Sequence, residues 1–194
     1  MTKFILVGGY IKKAPDGGKA FCQELVKNLP EPIKILDCIF ARLEEKWAEG
    51  FEDDKNFFVS NLPDKKLEVR LAQYDTFIEQ VKWADAIFFR GGSSKQLGER
   101  LSDRSEWKKY LEGKSVAGTS AGADALSTYY FGLDEKELRE GQGVLPIKVI
   151  PHFKSDYHGW EFDWDAAYNE LKNYKEDLPI FALKEGEFRV IESK

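Results

Sequence analysis

Cysteine and histidine are scarce in this sequence, with two of each among 194 residues. Cys22 and Cys38 lack the CxxC spacing of metal sites, and two thiols do not make the disulfide framework of a small secreted protein. We therefore expect both cysteines to be reduced and buried. A reaction that needs an imidazole base must use His152 or His158.

Basic residues are outnumbered, with 29 Lys and Arg against 34 Asp and Glu. A net charge of −5 gives no electrostatic support for nucleic-acid binding. Long apolar runs are missing too, since Phe4–Val7 is far shorter than a signal-peptide core or a membrane span. The sequence therefore indicates a cytoplasmic protein, monomer or homodimer, with a small-molecule partner and no membrane partner.

Linkers, repeats and low-complexity segments are not found, so residues 1–194 are expected to form a single domain. Short apolar runs alternate with segments of helical spacing, which is typical of a parallel sheet covered by helices. This pattern predicts a three-layer α/β/α fold with a mostly parallel central sheet. The predicted strands are Phe4–Val7, Ile33–Phe40, Phe57–Val59, Ala86–Phe89, Ser115–Ala117 and Ile147–Ile150, and the predicted helices are Lys19–Leu29, Thr76–Trp83, Gln96–Leu101 and Trp107–Leu111.

Two more apolar runs lie near the end of the chain, Ile180–Leu183 and Phe188–Ile191. The turn between them contains Gly186, which can adopt the positive φ that tight turns require. These segments predict a C-terminal antiparallel hairpin at the edge of the sheet.

The run Gly118-Thr119-Ser120-Ala121-Gly122 lies between a predicted strand and a helical segment. In that context a GxSxG run is a nucleophile elbow, a strained turn that exposes a serine hydroxyl above the sheet. Ser120 is therefore the expected nucleophile of a serine hydrolase. The expected oxyanion donors are the amide of Ala121 and the amide of Gly92, which lies in the loop after the strand 86–89.

The nucleophile needs a base, and His152 directly follows the predicted strand 147–150. It should emerge at the same edge of the sheet as Ser120, so it is the preferred base. His158, in a polar loop, stays open as an alternative base or a substrate-binding residue.

A third residue, an acid, should orient the imidazole, and the chain order Ser, acid, His places it between residues 120 and 152. Asp134 is the preferred candidate. The others are Asp124, Glu135, Glu137 and Glu140.

Three segments resemble the dipeptidase E and cyanophycinase family of serine peptidases. Residues 91–97, Gly-Gly-Ser-Ser-Lys-Gln-Leu, are similar to the family's Gly-Gly-Asn-Thr-x-Gln-Leu; residues 118–123 are similar to its Gly-x-Ser-Ala-Gly-Ala; and Pro151-His152-Phe153 is similar to its Asn-Pro-His-Phe. The resemblance implies a class I glutamine amidotransferase-like, flavodoxin-like fold. It also implies a serine peptidase that cleaves short peptides through Ser120 and His152, with no metal and no cofactor.

The chain departs from the family in its substrate-binding residues. Dipeptidase E removes N-terminal aspartate from dipeptides, and its Gly-Glu-Thr-Arg run after the histidine has no counterpart in residues 158–163. Arg90 is a candidate to take the place of that arginine and pair with a substrate carboxylate; the alternative is an ion pair between Arg90 and nearby acidic residues of the protein. Ser93, which replaces the family's Asn, and His158 are further candidates, and Ile150 replaces the Asn before Pro-His.

Other functions remain as alternatives. An esterase of the α/β-hydrolase fold would need an HGGG-type run, and a glutamine-hydrolysing domain would need a cysteine at the elbow. A catalytically inactive binding or regulatory module of the same fold is the main alternative, because the acid of the triad is not settled.

Overall fold

The structure is a computed structural model that describes residues 1–156 and 162–193. Its main sheet has the strands β1 (Thr2–Val7), β2 (Ile33–Cys38), β3 (Leu67–Leu71), β4 (Ala86–Phe89), β5 (Ser115–Thr119) and β10 (Phe188–Ser193). They lie in the order β10-β1-β5-β4-β2-β3, and only the pair β10 and β1 is antiparallel. The carboxyl ends of β1, β2, β4 and β5 therefore meet at one edge.

Helices cover both faces of this sheet, because β4 and β5 are apolar and buried along their whole length. One face packs against α1 (Lys19–Val26) and α2 (Trp47–Asn61). The other packs against α3 (Phe77–Trp83), α4 (Ser94–Ser102) and α5 (Ala121–Leu126). The predicted three-layer fold with a mostly parallel sheet is confirmed, and both cysteines are free and buried as expected.

A second, smaller sheet was not predicted. It contains β6 (Tyr129–Gly132), β7 (Glu137–Glu140), β8 (Lys148–Ile150) and β9 (Ile180–Ala182), in the order β7-β6-β8-β9. The last helix, α6 (Trp164–Asn173), packs on it through a separate apolar cluster. One face of the small sheet packs on α6, while Val149 of β8 belongs to the core of the main sheet. The strands are short, so their sequence pattern is weak.

The predicted strand Phe57–Val59 is wrong, since these residues belong to α2. The buried residues of α2 include Gly50, Asp54, Phe57 and Phe58, which follow helical spacing on its inner face. Val59 is half exposed at 50%. The apolar triplet alone does not distinguish a strand from a helix turn.

The predicted C-terminal hairpin is also wrong, because β9 and β10 do not pair with each other. β9 runs parallel to β8 in the small sheet, whereas β10 forms the antiparallel edge of the main sheet as expected. The turn between them bonds to other segments: Phe153 N–H donates to the Leu183 carbonyl, and Gly8 N–H donates to the Glu187 carbonyl. The two strands therefore diverge into different sheets.

Two further findings concern the helices. The predicted helix Trp107–Leu111 is a 3-10 helix over Ser105–Tyr110. No helix within residues 1–156 and 162–193 is long and apolar enough to cross a membrane.

Substitution of Gly122 by alanine tests the packing of β4 against α5. An added Cβ would lie 2.3 Å from the backbone oxygen of Phe89, so the free energy of unfolding should fall by about 1–3 kcal/mol. Gly98→Ala in α4 is the matched control, because the nearest atom to its added Cβ is 4.0 Å away. It should raise stability by about 1 kcal/mol in urea unfolding. Equal effects of the two substitutions would contradict this packing.

Candidate active site

Ser120 occupies a strained turn between β5 and α5. Its backbone has φ 52° and ψ −113°, outside the regions that a residue with a side chain normally adopts. Its N–H donates to the Val7 carbonyl at 3.0 Å, and its own carbonyl accepts from the N–H groups of Ala123 and Asp124 at 2.8 and 3.0 Å. These bonds hold the strained conformation, as the nucleophile-elbow prediction requires.

His152 directly follows β8 and also has a positive φ, of 55°. Its N–H donates to the Gly8 carbonyl at 2.7 Å. Gly9 lies against the imidazole so closely that a Cβ there would be 2.2 Å from the ring Cε1. The glycine pair at the end of β1 therefore makes room for the ring and anchors its backbone.

The imidazole of His152 connects two side chains. Its Nε2 lies 2.9 Å from Ser120 Oγ, and its Nδ1 lies 2.9 Å from Glu185 Oε1. Because a carboxylate only accepts hydrogen bonds, Nδ1 carries the proton, and Nε2 accepts the hydrogen bond of the serine hydroxyl. His152 is only 3% exposed, so its imidazole is largely shielded from water.

Glu185 lies in the turn between β9 and β10. Its N–H donates to Ser155 Oγ at 3.1 Å, and the N–H of the next residue, Gly186, donates to the Gly9 carbonyl at 2.9 Å. Burial raises the pKa of Glu185, but hydrogen bonds from Lys13 and His152 outweigh it, so the pKa lies below its ordinary value. The carboxylate therefore stays ionised beside the imidazole.

The acid at Nδ1 is thus Glu185 and not the predicted Asp134. Asp134 instead lines the cleft beside Ser120. Glu185 lies outside residues 120–152, the range that the chain order Ser, acid, His predicts for the acid. The sequence nevertheless contains one indication of Glu185. It follows an apolar strand and precedes Gly186, so a turn is expected there, at the edge of the sheet where Ser120 also lies.

The other four acids weighed from the sequence are also engaged elsewhere. Asp124 is buried and accepts a hydrogen bond from Ser94 Oγ at 2.7 Å. Glu135 and Glu137 pair with Arg139, and Glu140 pairs with Lys175.

A cleft of about 820 Å³ opens beside Ser120 and His152. Arg90 lines it, but its guanidinium pairs with Asp54 at 3.0 Å and donates to the Gly50 carbonyl. Burial raises the pKa of Asp54 to about 6, against the lowering effect of Arg90. Arg90 therefore has partners within the protein, which weakens its predicted role as a substrate-binding cation.

Arg42 lines the same cleft and differs from Arg90. Its Nε donates to the Gly91 carbonyl at 2.7 Å, and its own carbonyl accepts from Trp47 Nε1 at 2.9 Å and from Arg100 at 2.7 Å. No carboxylate in the described ranges pairs with Arg42. Sequence reasoning missed this residue, because no motif marks it.

The remaining predicted residues have different outcomes. Ser93 lines the cleft and caps α4, its Oγ accepting from Gln96 N–H at 3.2 Å. Gly92 lines the cleft, and a Cβ there would lie 2.3 Å from the Ala41 carbonyl oxygen. Neither the Gly92 nor the Ala121 N–H is hydrogen-bonded to the part of the chain that the structure describes. His158 lies outside the described residues.

No group of three or more His, Cys, Asp or Glu side chains within the described ranges is placed to hold a metal ion.

Comparison with known proteins points to one family and one fold. The sequence model of peptidase family S51 matches residues 43–194. The crystal structure of a peptidase from an acI-B1 Actinobacterium is similar, with a TM-score of 0.69 and 25% identity, over 98% of this chain and 83% of that chain. A putative peptidase E from Listeria monocytogenes EGD-e shares the fold, with a TM-score of 0.68 and 16% identity, over 98% and 97%. A comparison with curated protein sequences finds no significant match.

Lys13→Ala tests whether Lys13 keeps Glu185 ionised. Removal of the ammonium deletes the hydrogen bond that most lowers the pKa of Glu185, so this pKa should rise. The carboxyl carbon can be followed by NMR titration, with Lys13→Arg as the charge-conserving control. Because the Lys13 side chain is 58% exposed, the difference should shrink at high salt. An unchanged Glu185 titration would contradict the assignment.

Proposed function

This chain belongs to peptidase family S51 and is a serine peptidase, and we propose that Ser120, His152 and Glu185 are its catalytic triad. The proposal rests on a continuous chain of two hydrogen bonds. One joins Ser120 Oγ to His152 Nε2 and the other joins His152 Nδ1 to Glu185 Oε1, and each measures 2.9 Å. The hydrogen bonds suit these roles, since the pKa of Glu185 lies below its ordinary value and His152 Nε2 lies at hydrogen-bond distance from the Ser120 hydroxyl, whose proton it would take.

In the proposed reaction, Ser120 Oγ attacks the carbonyl carbon of a peptide bond while its proton passes to His152 Nε2. The imidazolium that forms is stabilised by Glu185, which accepts from Nδ1. His152 then gives the proton to the leaving nitrogen, the C–N bond breaks, and an acyl-enzyme remains. Water attacks the ester with the same base, and the acid product leaves.

The developing oxyanion needs hydrogen-bond donors. We assign this role to the N–H groups of Gly92 and Ala121, which have no acceptor in the described part of the chain. Gly91 brings the loop close to the nucleophile, since a Cβ there would lie 3.1 Å from Ser120 Cβ. The loop after β4 therefore faces the elbow after β5.

The complete triad also bears on the alternative of an inactive binding module. A module without activity would not need a strained Ser120 that contacts a buried His152, or a buried carboxylate on the other side of that imidazole. The geometry supports an active hydrolase.

The proposed substrates are short peptides, with an acidic side chain at the cleaved residue. Arg42 supports this preference better than Arg90, because it lines the cleft and no carboxylate in the described ranges pairs with its guanidinium. Its bond to the Gly91 carbonyl places it next to the proposed oxyanion loop. A planar guanidinium can bind a carboxylate through two parallel hydrogen bonds.

An alkyl fluorophosphonate probe tests the triad without knowledge of the substrate. Ser120 should be labelled in the wild type and not in Ser120→Ala. Glu185→Gln should slow labelling by roughly 10³-fold, because the imidazole loses the anion that stabilises its protonated form. The measurement is the labelling rate by intact mass, with peptide mapping of the adduct.

Glu187→Gln is the matched control for this experiment, because Glu187 lies in the same turn and its carboxylate accepts a hydrogen bond from the Lys184 backbone N–H rather than from His152. Its labelling rate should equal that of the wild type. A wild type that is not labelled at Ser120, or a Glu185→Gln variant labelled at the wild-type rate, would refute the triad.

The role of Arg42 is tested with dipeptides Asp-Leu, Asn-Leu and Ala-Leu. Arg42→Ala should raise KM for Asp-Leu by roughly tenfold or more, since a charge-assisted pair is lost, and should change KM for Ala-Leu little. Arg42→Lys should recover part of the loss. Equal effects on the three dipeptides would reject Arg42 as the cation for an acidic side chain.

A further inference from the structure

Tyr10 combines a strained backbone with an exposed aromatic ring. It follows Gly8 and Gly9 after β1, and its φ of 41° and ψ of 51° lie in the left-handed region that residues with a side chain rarely adopt. Its carbonyl accepts from the Lys13 N–H at 2.7 Å, which holds this turn. The residue is 49% exposed, so its ring is not used to fill the core. Strain at a residue that the core does not require points to a function.

The Tyr10 ring packs on the imidazole of the proposed base. The two ring centroids lie 5.4 Å apart with 72° between the planes, which is an edge-to-face contact. Lys13 Nζ lies 4.5 Å from the Tyr10 centroid and donates to Glu185, and Glu185 accepts from His152. The four side chains therefore form a closed circle of contacts, which fixes the Tyr10 ring relative to the imidazole.

Tyr10 lines the large cleft together with apolar side chains. Ile11, the next residue, and Phe88 of β4 line the same cleft, and both are buried members of one apolar cluster. Apolar surface in a cleft contributes to binding when a ligand removes it from water. This part of the cleft therefore suits an apolar group of the substrate.

The charged residues near these apolar side chains act on one another. Arg90 pairs with Asp54 at 3.0 Å. Burial raises the pKa of Asp54, and Arg90 and Lys12 both oppose that rise, so Lys12 lies close enough to attract the same carboxylate. Lys12 Nζ also lies 5.3 Å from the centroid of the Phe57 ring. These charges have partners within the protein, whereas half of the Tyr10 surface is accessible.

The proposed reaction determines which part of the substrate lies near Tyr10. His152 Nε2 gives a proton to the leaving nitrogen, which must come within about 3 Å of it. The side chain of the leaving residue begins at its Cβ, about 2.5 Å from that nitrogen, as the bond lengths dictate. It therefore starts close to the imidazole on which Tyr10 packs. Arg42, assigned to the residue before the cleaved bond, contacts the oxyanion loop instead.

We propose that Tyr10 binds the side chain of the residue on the leaving side of the cleaved bond, and that this site favours aromatic and large aliphatic side chains. The inference rests on the proposed function, because Ser120 and His152 define the leaving side. A phenyl or isobutyl group there buries apolar surface of Tyr10 and Ile11, and an aromatic group also gains a ring contact. Glycine gains neither.

Three dipeptides that differ only in the leaving residue test this inference, Asp-Gly, Asp-Leu and Asp-Phe. In the wild type, kcat/KM for Asp-Leu and Asp-Phe should exceed that for Asp-Gly by roughly tenfold or more, as expected for an apolar site. Tyr10→Ala should reduce this preference by roughly fivefold or more, because the ring is lost. Tyr10→Phe keeps the ring and should retain the preference.

Two further variants guard against a loss of folding and an unspecific effect. Tyr10→Asn removes the ring with a residue that tolerates the left-handed conformation, so the turn should be kept and the preference should fall as in Tyr10→Ala. Val59→Ala is the matched control, because it shortens a half-exposed apolar side chain outside the cleft. It should show the wild-type preference.

A second measurement separates substrate binding from a purely positional effect on His152. An alkyl fluorophosphonate forms a P–O bond to Ser120 Oγ while its P–F bond breaks, and the fluoride that leaves has no side chain. Tyr10→Ala should therefore be labelled within about twofold of the wild-type rate. A labelling rate that falls as much as kcat/KM for Asp-Phe, with the preference for Asp-Phe over Asp-Gly unchanged, would overturn the inference, because Tyr10 would then only position the imidazole.

The outcomes separate the two proposals. Failure of the fluorophosphonate to label wild-type Ser120 would overturn the proposed function and this inference together. A labelled wild type that cleaves Asp-Gly as efficiently as Asp-Phe would overturn only the leaving-side site, and so would a folded Tyr10→Ala or Tyr10→Asn variant that keeps the full preference. A labelled wild type that cleaves none of the three dipeptides would overturn the leaving-side site and the proposed substrates, but not the triad.

Discussion

The structure depends on one buried imidazole that must be hydrogen-bonded on both sides. His152 is almost fully removed from water, and a ring in that position needs an acceptor for its N–H and a donor for its other nitrogen. Glu185 and Ser120 meet this need, and each comes from a different part of the fold. The elements that position them therefore have to converge at one edge of the main sheet.

That convergence explains several local features at once. β1 is followed by Gly8, whose carbonyl accepts from the His152 N–H, and by Gly9, which leaves space for the imidazole ring. The turn between β9 and β10 joins two different sheets, so that Glu185 reaches the imidazole from the side opposite to Ser120. The positive φ angles of Ser120 and His152 are the conformational cost of this arrangement. A simple hairpin at the C-terminus would place Glu185 elsewhere.

Charge is distributed unevenly around this centre. On the side of Lys13, the pKa of Glu185 is lowered, and the carboxylate is kept ready to stabilise an imidazolium. On the side of Asp124, burial and neighbouring acids raise the pKa of a carboxyl group that has one unpaired oxygen. The first arrangement is complete within the protein, since Lys13 and His152 both hydrogen-bond to Glu185. Carboxyl groups with opposite pKa shifts therefore lie on the two sides of the proposed reaction centre.

Sequence patterns predicted the parts of the site that local rules control. Wholly apolar strands place β4 and β5 in the centre of the sheet, and the loops after parallel strands meet at one edge, which brings Gly92, Ser120 and His152 together. Glu185 was missed because its contact with His152 spans 33 residues and depends on the divergence of β9 and β10. The apolar triplet at residues 57–59 was misread because its burial comes from α2 packing on the sheet. Arg42 and Asp124 depend on tertiary surroundings that no spacing reveals.

The hydrogen bond between His152 and Glu185 is the central claim, and proton NMR observes it directly. A hydrogen-bonded imidazole N–H that is shielded from water exchanges slowly and resonates downfield of the backbone amides. The account predicts such a resonance in the wild type and in Ser120→Ala, and its loss or marked upfield shift in Glu185→Gln. A downfield resonance that Glu185→Gln leaves unchanged, while Asp134→Asn removes it, would contradict the account.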